Sequence, residues 1–234
     1  MRAHPGLSAL RAGEIKRITS VDELINILYQ DDAIVVVDKP AGLLAVPGRG
    51  PEMADCVESR VRQILRPLTT PRQPAVHRLD MDTSGLMVLA VTPEAHRELS
   101  RQFAERLVEK RYVAMVAGLV EQEAGTIELA FRLDPENRPY QVYDPAQGKM
   151  GVSHWRKLAT EAGRTRIEYT PLTGRTHQLR LHSAHPKGLG CPIVGDRLYG
   201  TRQEGERMLL HAFLLSFRHP TSGEKISFTS PPPF

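Results

Sequence analysis

Residues 77–86, HRLDMDTSGL, hold the side chain best placed for chemistry. Asp80 follows a proline-rich stretch and precedes an apolar run, which predicts a polar loop in front of a buried strand. A rigid strand behind a loop is a common way to present a reactive group. A carboxylate held there can serve as nucleophile or base. Thr83, Ser84 and Gly85 can supply hydroxyl and backbone donors around it. The alternative for any single loop Asp is a turn cap.

Two further segments carry reactive types. Residues 173–182, TGRTHQLRLH, gather two Arg, two His and a Gln around a turn and a helix start. Such a cluster suits a phosphate or a carboxylate; a solvated basic helix end is the simpler reading. In residues 109–118, EKRYVAMVAG, Tyr112 heads an apolar strand. It is a core residue with a wet tip, or a stacking or proton-transfer group. His177, His182, His185 and Cys191 form a metal-ligand set on paper, the basis of a metal-dependent hydrolase reading, although their spacing matches no recognised zinc pattern. Asp80 and Asp82 would be the acid–base pair of a glycosidase, but alternation through Met81 points them apart.

The elements that must position these groups are legible from periodicity. Residues 21–29 have apolar residues at Val21, Leu24, Ile25 and Leu28, a helical spacing. Residues 34–37 are a β-branched run expected as a buried strand. Val57, Val61 and Leu65 predict a helix within residues 53–65. Residues 86–91 predict a strand. Thr92-Pro93 then starts a helix as N-cap and first-turn proline, with Ala95, Leu99, Phe103 and Leu107 on one face and Arg97 and Arg101 on another. Further strands are expected at residues 111–116, 126–129, 153–158, 165–170 and 225–228, and a short helix at 176–185. The stretch 209–217 alternates less cleanly.

Composition bounds the class. The 234 residues carry 31 basic and 27 acidic side chains, a formal charge of +4, and 41% hydrophobic residues. That is the balance of a globular chain with a mild preference for phosphate. The two cysteines, Cys56 and Cys191, are far apart and form no C-x-x-C, so a zinc ribbon or redox dithiol is not expected and a reducing cytoplasm is. The first residues read as neither signal peptide nor anchor, and no apolar stretch approaches membrane-spanning length. Residues 1–20 read as an extension ahead of one unit spanning 21–234.

Five segments occur together in an order and spacing that resemble RluA-type RNA pseudouridine synthases: residues 31–48 (DDAIVVVDKPAGLLAVPG), HRLDMDTSGL, KRYVAMVAG, TGRTHQLRLH and residues 193–200 (IVGDRLYG). The resemblance runs from about residue 28 to the C-terminus, and the HRLD-x-x-TSGL pattern is its most specific part. Few residues precede the first segment, so the chain is similar to the compact subtype without an S4 RNA-binding domain.

The resemblance implies an α+β fold: a mixed, mainly antiparallel central sheet flanked by helices, with an RNA-binding cleft across its middle. It implies isomerisation of specific uridines in structured stem-loops of large-subunit rRNA or tRNA, with no metal and no organic cofactor; a monomer in the cytoplasm is the default expectation, the compartment from the cysteine usage. Asp80 is then the catalytic carboxylate, Tyr112 an active-site aromatic against the uracil, and Arg180 the basic partner of Asp80. The target C1′ is out of reach in a stacked nucleotide, so base extrusion is expected, with Arg78 filling the vacated space and His77 ordering the loop. Lys39, Arg49, Arg175 and Lys110 are candidate RNA contacts, as are Arg97, Arg101, Arg106 and Arg111. A protein that binds RNA without chemistry is the competing reading. The chain departs from its relatives at residues 182–191, HSAHPKGLGC, a longer loop expected to affect which RNA fits.

Overall fold

The computed structural model describes residues 25–65, 73–201 and 206–234. The N-terminal extension and most of the proline-rich loop before Asp80 lie outside these residues. Among the described residues ten strands form one sheet, in the order β1 (Asn26–Gln30), β2 (Ile34–Lys39), β3 (Ser84–Ala90), β9 (Leu210–Arg218), β4 (Glu109–Ala117), β8 (Arg164–Pro171), β7 (Lys149–Glu161), β5 (Ala124–Leu133) and β6 (Gln141–Tyr143), with β10 (Lys225–Thr229) paired to β9. Every pairing is antiparallel except β3 with β9. The expected mixed, mostly antiparallel α+β architecture is therefore what forms.

The first half supplies the strands β1 (Asn26–Gln30), β2 (Ile34–Lys39) and β3 (Ser84–Ala90). The expected helix over 21–29 is corrected where it is described: Asn26–Gln30 is a strand, antiparallel to β2. Asp31 makes this hairpin, because its Oδ1 accepts from the backbone N–H of Ala33 and Ile34 at 2.8 Å each. β2 is buried on both faces and its backbone needs a neighbour on each side, a demand that outweighs the short helical spacing. Val35, Val37, Met87 and Leu89 face α1 (Val57–Leu65), while Ile34, Val36, Leu86 and Val88 face α2 (Pro93–Ala104). The continuous apolar runs are thus strands sandwiched between two helices.

Helix α2 is capped as expected: the Thr92 hydroxyl accepts from Ala95 N–H at 3.2 Å, with Pro93 in the first turn. It stops at Ala104, and Arg106 turns left-handed at φ 60°. Leu107 therefore leaves the buried face and stands 55% exposed, which corrects the expected four-residue stripe.

The second half builds β4 (Glu109–Ala117), β5 (Ala124–Leu133), β6 (Gln141–Tyr143), β7 (Lys149–Glu161), β8 (Arg164–Pro171), the helix α3 (Gln178–Ala184), β9 (Leu210–Arg218) and β10 (Lys225–Thr229). Leu179 and Leu181 seat α3 on a core of Ile127, Leu129, Phe131, Trp155, Ile167 and Tyr169. The strand–helix–strand passage from β3 to β4 could have paired in parallel, but β9 inserts between them. Gly85 permits this. At φ +114° a side chain is strained, and a Cβ there would meet the Ala212 carbonyl oxygen at 2.3 Å. The close β3–β9 approach brings the loop before β3 beside Leu210 and Tyr112.

Candidate active site

A cleft of about 940 Å³ opens across the middle of the sheet. Its walls are residues 76–80, the end of α2 with residues 106–110, and the turn 170–180; Tyr112 and Leu210 come from the strands between. Asp80, Tyr112 and Arg180, more than thirty positions apart at the least, all line it.

The loop carrying Asp80 is held from behind. Lys39 is fully buried, and its ammonium donates to the carbonyls of Pro40, Leu43 and Met81 at 2.9, 2.7 and 2.9 Å. Gly42 N–H adds a bond to the Met81 carbonyl at 2.8 Å. Burial pulls Lys39 down to about 7, opposed by the charges of Asp80 and Asp82. All three ammonium protons are occupied, so the expectation that Lys39 contacts RNA is corrected: it ties two loops together. His77 stacks on Phe103 at 4.5 Å, and its Nε2 accepts from Val88 N–H at 3.1 Å. Burial and the nearby Lys110 push its pKa down to about 3, so it is a neutral ring that orders the loop.

Arg180 is 3% exposed, and its Nη1 lies 3.6 Å from the Asp80 carboxylate, an ion pair too long for a hydrogen bond. Its stronger partner is Asp196, fully buried, which accepts from Nε at 2.8 Å and Nη2 at 2.6 Å. Asp196 also accepts from the N–H groups of Leu198 and Tyr199 at 2.9 and 3.2 Å. Burial raises the Asp196 carboxyl, but the Arg180 contacts outweigh it and the net shift is downward. The Tyr199 ring covers the guanidinium at 5.4 Å. Two of the three Arg180 nitrogens are thus fixed by Asp196, leaving Nη1 to face Asp80. Tyr112 has its hydroxyl pKa raised above the usual phenol range by burial and by Asp80, so it stays a neutral phenol.

The turn before α3 is locked by Gln178. Its amide donates to Val152 O and Ser153 Oγ and accepts from Thr173 Oγ1 and Arg175 N–H. Arg175 is exposed on the cleft rim together with Arg78 and Arg106, and none of the three is paired with a carboxylate among the described residues. Lys110 also lines the cleft. In contrast, Arg101 is bridged by Glu98 and Glu105, and Arg111 by Glu109. Arg97 and Arg49 are exposed but do not line the cleft.

The acidic pair and the His/Cys group, already disfavoured by alternation and spacing, do not converge among the described residues. Asp82 pairs with Arg197 at 2.9 Å and does not line the cleft, so it is not placed as an acid–base partner of Asp80 there. His177 lines the cleft, His182 packs edge-on to Phe131, and His185 lies against Tyr143. Among the described residues no three His, Cys, Asp or Glu side chains gather to hold a metal. The long 182–191 loop folds back on α3 through Leu189 N–H to His182 O and Cys191 N–H to Ser183 O, and it stays off the cleft. Asp196, Tyr199 and Gln178 were the side chains the sequence left without a role. The sequence signal for Asp196 was its place in residues 193–196, IVGD, an acid one glycine after an apolar pair.

The model of the RNA pseudouridylate synthase family matches residues 33–185. The dual-specificity RNA pseudouridine synthase RluA of Pasteurella multocida is 43% identical over 217 residues, 91% of this chain and 95% of that protein. The same enzyme of Escherichia coli K12 is 43% identical over 212 residues, covering 89% and 93%. Among solved structures, human RNA pseudouridylate synthase domain containing 1 superposes with a TM-score of 0.71 at 30% identity, over 92% of this chain and 86% of that one. A mixed sheet split by a cleft, with one Asp opposite one buried Arg, is therefore the frame of a pseudouridine synthase, an isomerase. The chain belongs to the RluA family of these enzymes.

Proposed function

We propose that this chain isomerises uridines in structured stem-loops of large-subunit rRNA, tRNA or both, with Asp80 as the catalytic carboxylate. The observation that carries the site assignment is the convergence of Asp80, Tyr112 and Arg180 on one cleft, with Arg180 Nη1 3.6 Å from Asp80. The dual specificity of its RluA relatives supports a choice that includes more than one RNA.

The chemistry follows from the groups present. The N1–C1′ bond breaks, the uracil turns over, and C5–C1′ forms; the C5 proton is lost and N1 gains one. Asp80 meets the ribose, as nucleophile at C1′ or by abstracting a ribose proton. Arg180, anchored on Asp196, holds a positive charge opposite it without closing on it. The neutral Tyr112 packs against the uracil. A cleft of about 940 Å³ accommodates an extruded nucleotide. The unpaired Arg78, Arg106 and Arg175 meet backbone phosphates and give affinity and register; Arg78, two residues before Asp80, braces the space the base leaves. The enzyme acts as a monomer in the cytoplasm, a setting that suits Cys56 and Cys191, both unpaired.

The test is release of tritium from RNA labelled at uridine C5. The wild-type chain releases label and Asp80→Asn does not, while both bind RNA equally. Normal turnover by Asp80→Asn refutes the assignment. RNA binding by wild type with no release from any RNA pool favours the binding-only reading.

A further inference from the structure

One residue of the cleft wall has an unusual backbone and an unassigned nitrogen. His177 sits at φ 56°, ψ 19°, immediately before α3. A non-glycine residue in the left-handed region is uncommon and persists where its surroundings impose it. Here they do. Gln178 is held by four hydrogen bonds, and the His177 carbonyl accepts from Leu181 N–H at 2.9 Å.

Its ring is fixed as well. Nδ1 lies 2.9 Å from the Tyr199 hydroxyl, and the two rings meet edge to face at 5.7 Å. The Tyr199 oxygen already accepts from Gln141 N–H at 2.7 Å. A phenol has one proton, and His177 Nδ1 is the acceptor within its reach among the described residues. The proton is therefore donated to Nδ1, which places the proton of the neutral imidazole on Nε2. Nε2 has no protein partner among the described residues, yet it is not sealed in the core: His177 lines the cleft that holds Asp80. Burial lowers the His177 pKa, Asp80 opposes this and Arg180 adds to it, so the ring is neutral at physiological pH.

We propose that His177 donates its Nε2–H to a carbonyl oxygen of the uracil in the extruded nucleotide, and that Tyr199 is a positioning residue that sets this tautomer. The inference rests on the function proposed above and names one of its base contacts. As N1–C1′ breaks, negative charge spreads onto the uracil oxygens, so a fixed donor strengthens in the transition state. The symmetry of the base adds a second consequence. Rotation about the N3–C6 axis exchanges N1 with C5 and, at once, the C2 carbonyl with the C4 carbonyl. One stationary donor is therefore satisfied before and after the uracil turns over.

The test combines a spectroscopic and a kinetic readout on the full chain. In protein labelled with 15N-histidine, the His177 signals, assigned by their loss in His177→Gln, should show the proton on Nε2. Tyr199→Phe should lose that fixed tautomer and lower kcat with RNA affinity retained. His177→Ala should lower kcat by about 10- to 100-fold, the range for one donor to a developing charge. His177→Gln, whose amide nitrogen reaches the place of Nε2, should recover part of it. A wild-type ring protonated on Nδ1, or His177→Ala turning over at the wild-type rate, overturns the inference. A wild-type chain that binds RNA but releases no tritium overturns the functional reading itself, whatever the tautomer.

Discussion

Replacing Asp196 by Asn changes few atoms and tests how the charge opposite Asp80 is held. The wild-type carboxylate accepts two bonds from Arg180, at 2.8 and 2.6 Å, and two from backbone N–H groups. An Asn whose oxygen keeps the backbone bonds turns its NH₂ toward Arg180 Nε, donor against donor. Removing one partner of a buried ion pair costs about 3–5 kcal/mol, since the other charge stays buried. At roughly 2–4 °C per kcal/mol for a chain of this size, the melting temperature should fall by about 6–20 °C. The freed guanidinium still has Asp80 3.6 Å from Nη1, and should close to direct hydrogen-bond distance. That would tie down the carboxylate lone pairs, so kcat in the tritium assay should fall while RNA affinity is kept. The double variant Arg180→Met, Asp196→Leu separates the two effects. It removes both buried charges and should melt near wild type while remaining inactive. Wild-type melting and turnover in Asp196→Asn would refute the idea that Asp196 sets the Arg180 geometry.

Other outcomes follow from the same interactions. The Asp196 carboxyl is held below the usual range when folded, so the unfolded chain takes up its proton first as pH falls. Its contribution is complete above about pH 4 and disappears as pH drops through the folded value; melting curves should therefore fall more steeply below pH 4 for wild type than for Asp196→Asn. Lys39→Met should lower the melting temperature by orphaning the Pro40 and Leu43 carbonyls and leaving that of Met81 with Gly42 N–H alone, and should leave the salt dependence of RNA affinity unchanged, whereas Arg175→Ala should reduce that log–log slope by about 1; a slope change with Lys39→Met would return it to the RNA surface. Gly85→Ala places a Cβ 2.3 Å from Ala212 O at a positive φ, and should destabilise the chain by about 2–6 kcal/mol from overpacking and strain together. Denaturant midpoints near wild type would contradict that close approach.

Local patterns settled much in advance. The β-branched run at 34–37, the Thr92-Pro93 helix start and the HRLD-x-x-TSGL loop each depend on neighbours within a few residues, and each formed where expected. Asp80, Tyr112 and Arg180, singled out because their segments are specific as written, line one cleft. Pairing partners were a different matter. Asn26–Gln30 became a strand because β2, buried on both faces, needs hydrogen bonds on both edges, a requirement invisible in the spacing of its own apolar residues.

Charge environments also depended on distance across the fold. Lys39 and Arg175 are both cations in specific segments, but one is spent on three carbonyls inside the chain and the other is exposed at the cleft rim with no carboxylate partner among the described residues. Arg180 was expected to answer Asp80, and its bidentate bond to Asp196 comes from a residue sixteen positions on. The residues alone determined which chemical groups this chain owns and the local elements that carry them, since both are short-range properties. Which groups face each other, which charges are already neutralised, and which nitrogen of His177 bears a proton were decided by tertiary structure, because burial and hydrogen-bond supply are set by segments distant in the chain.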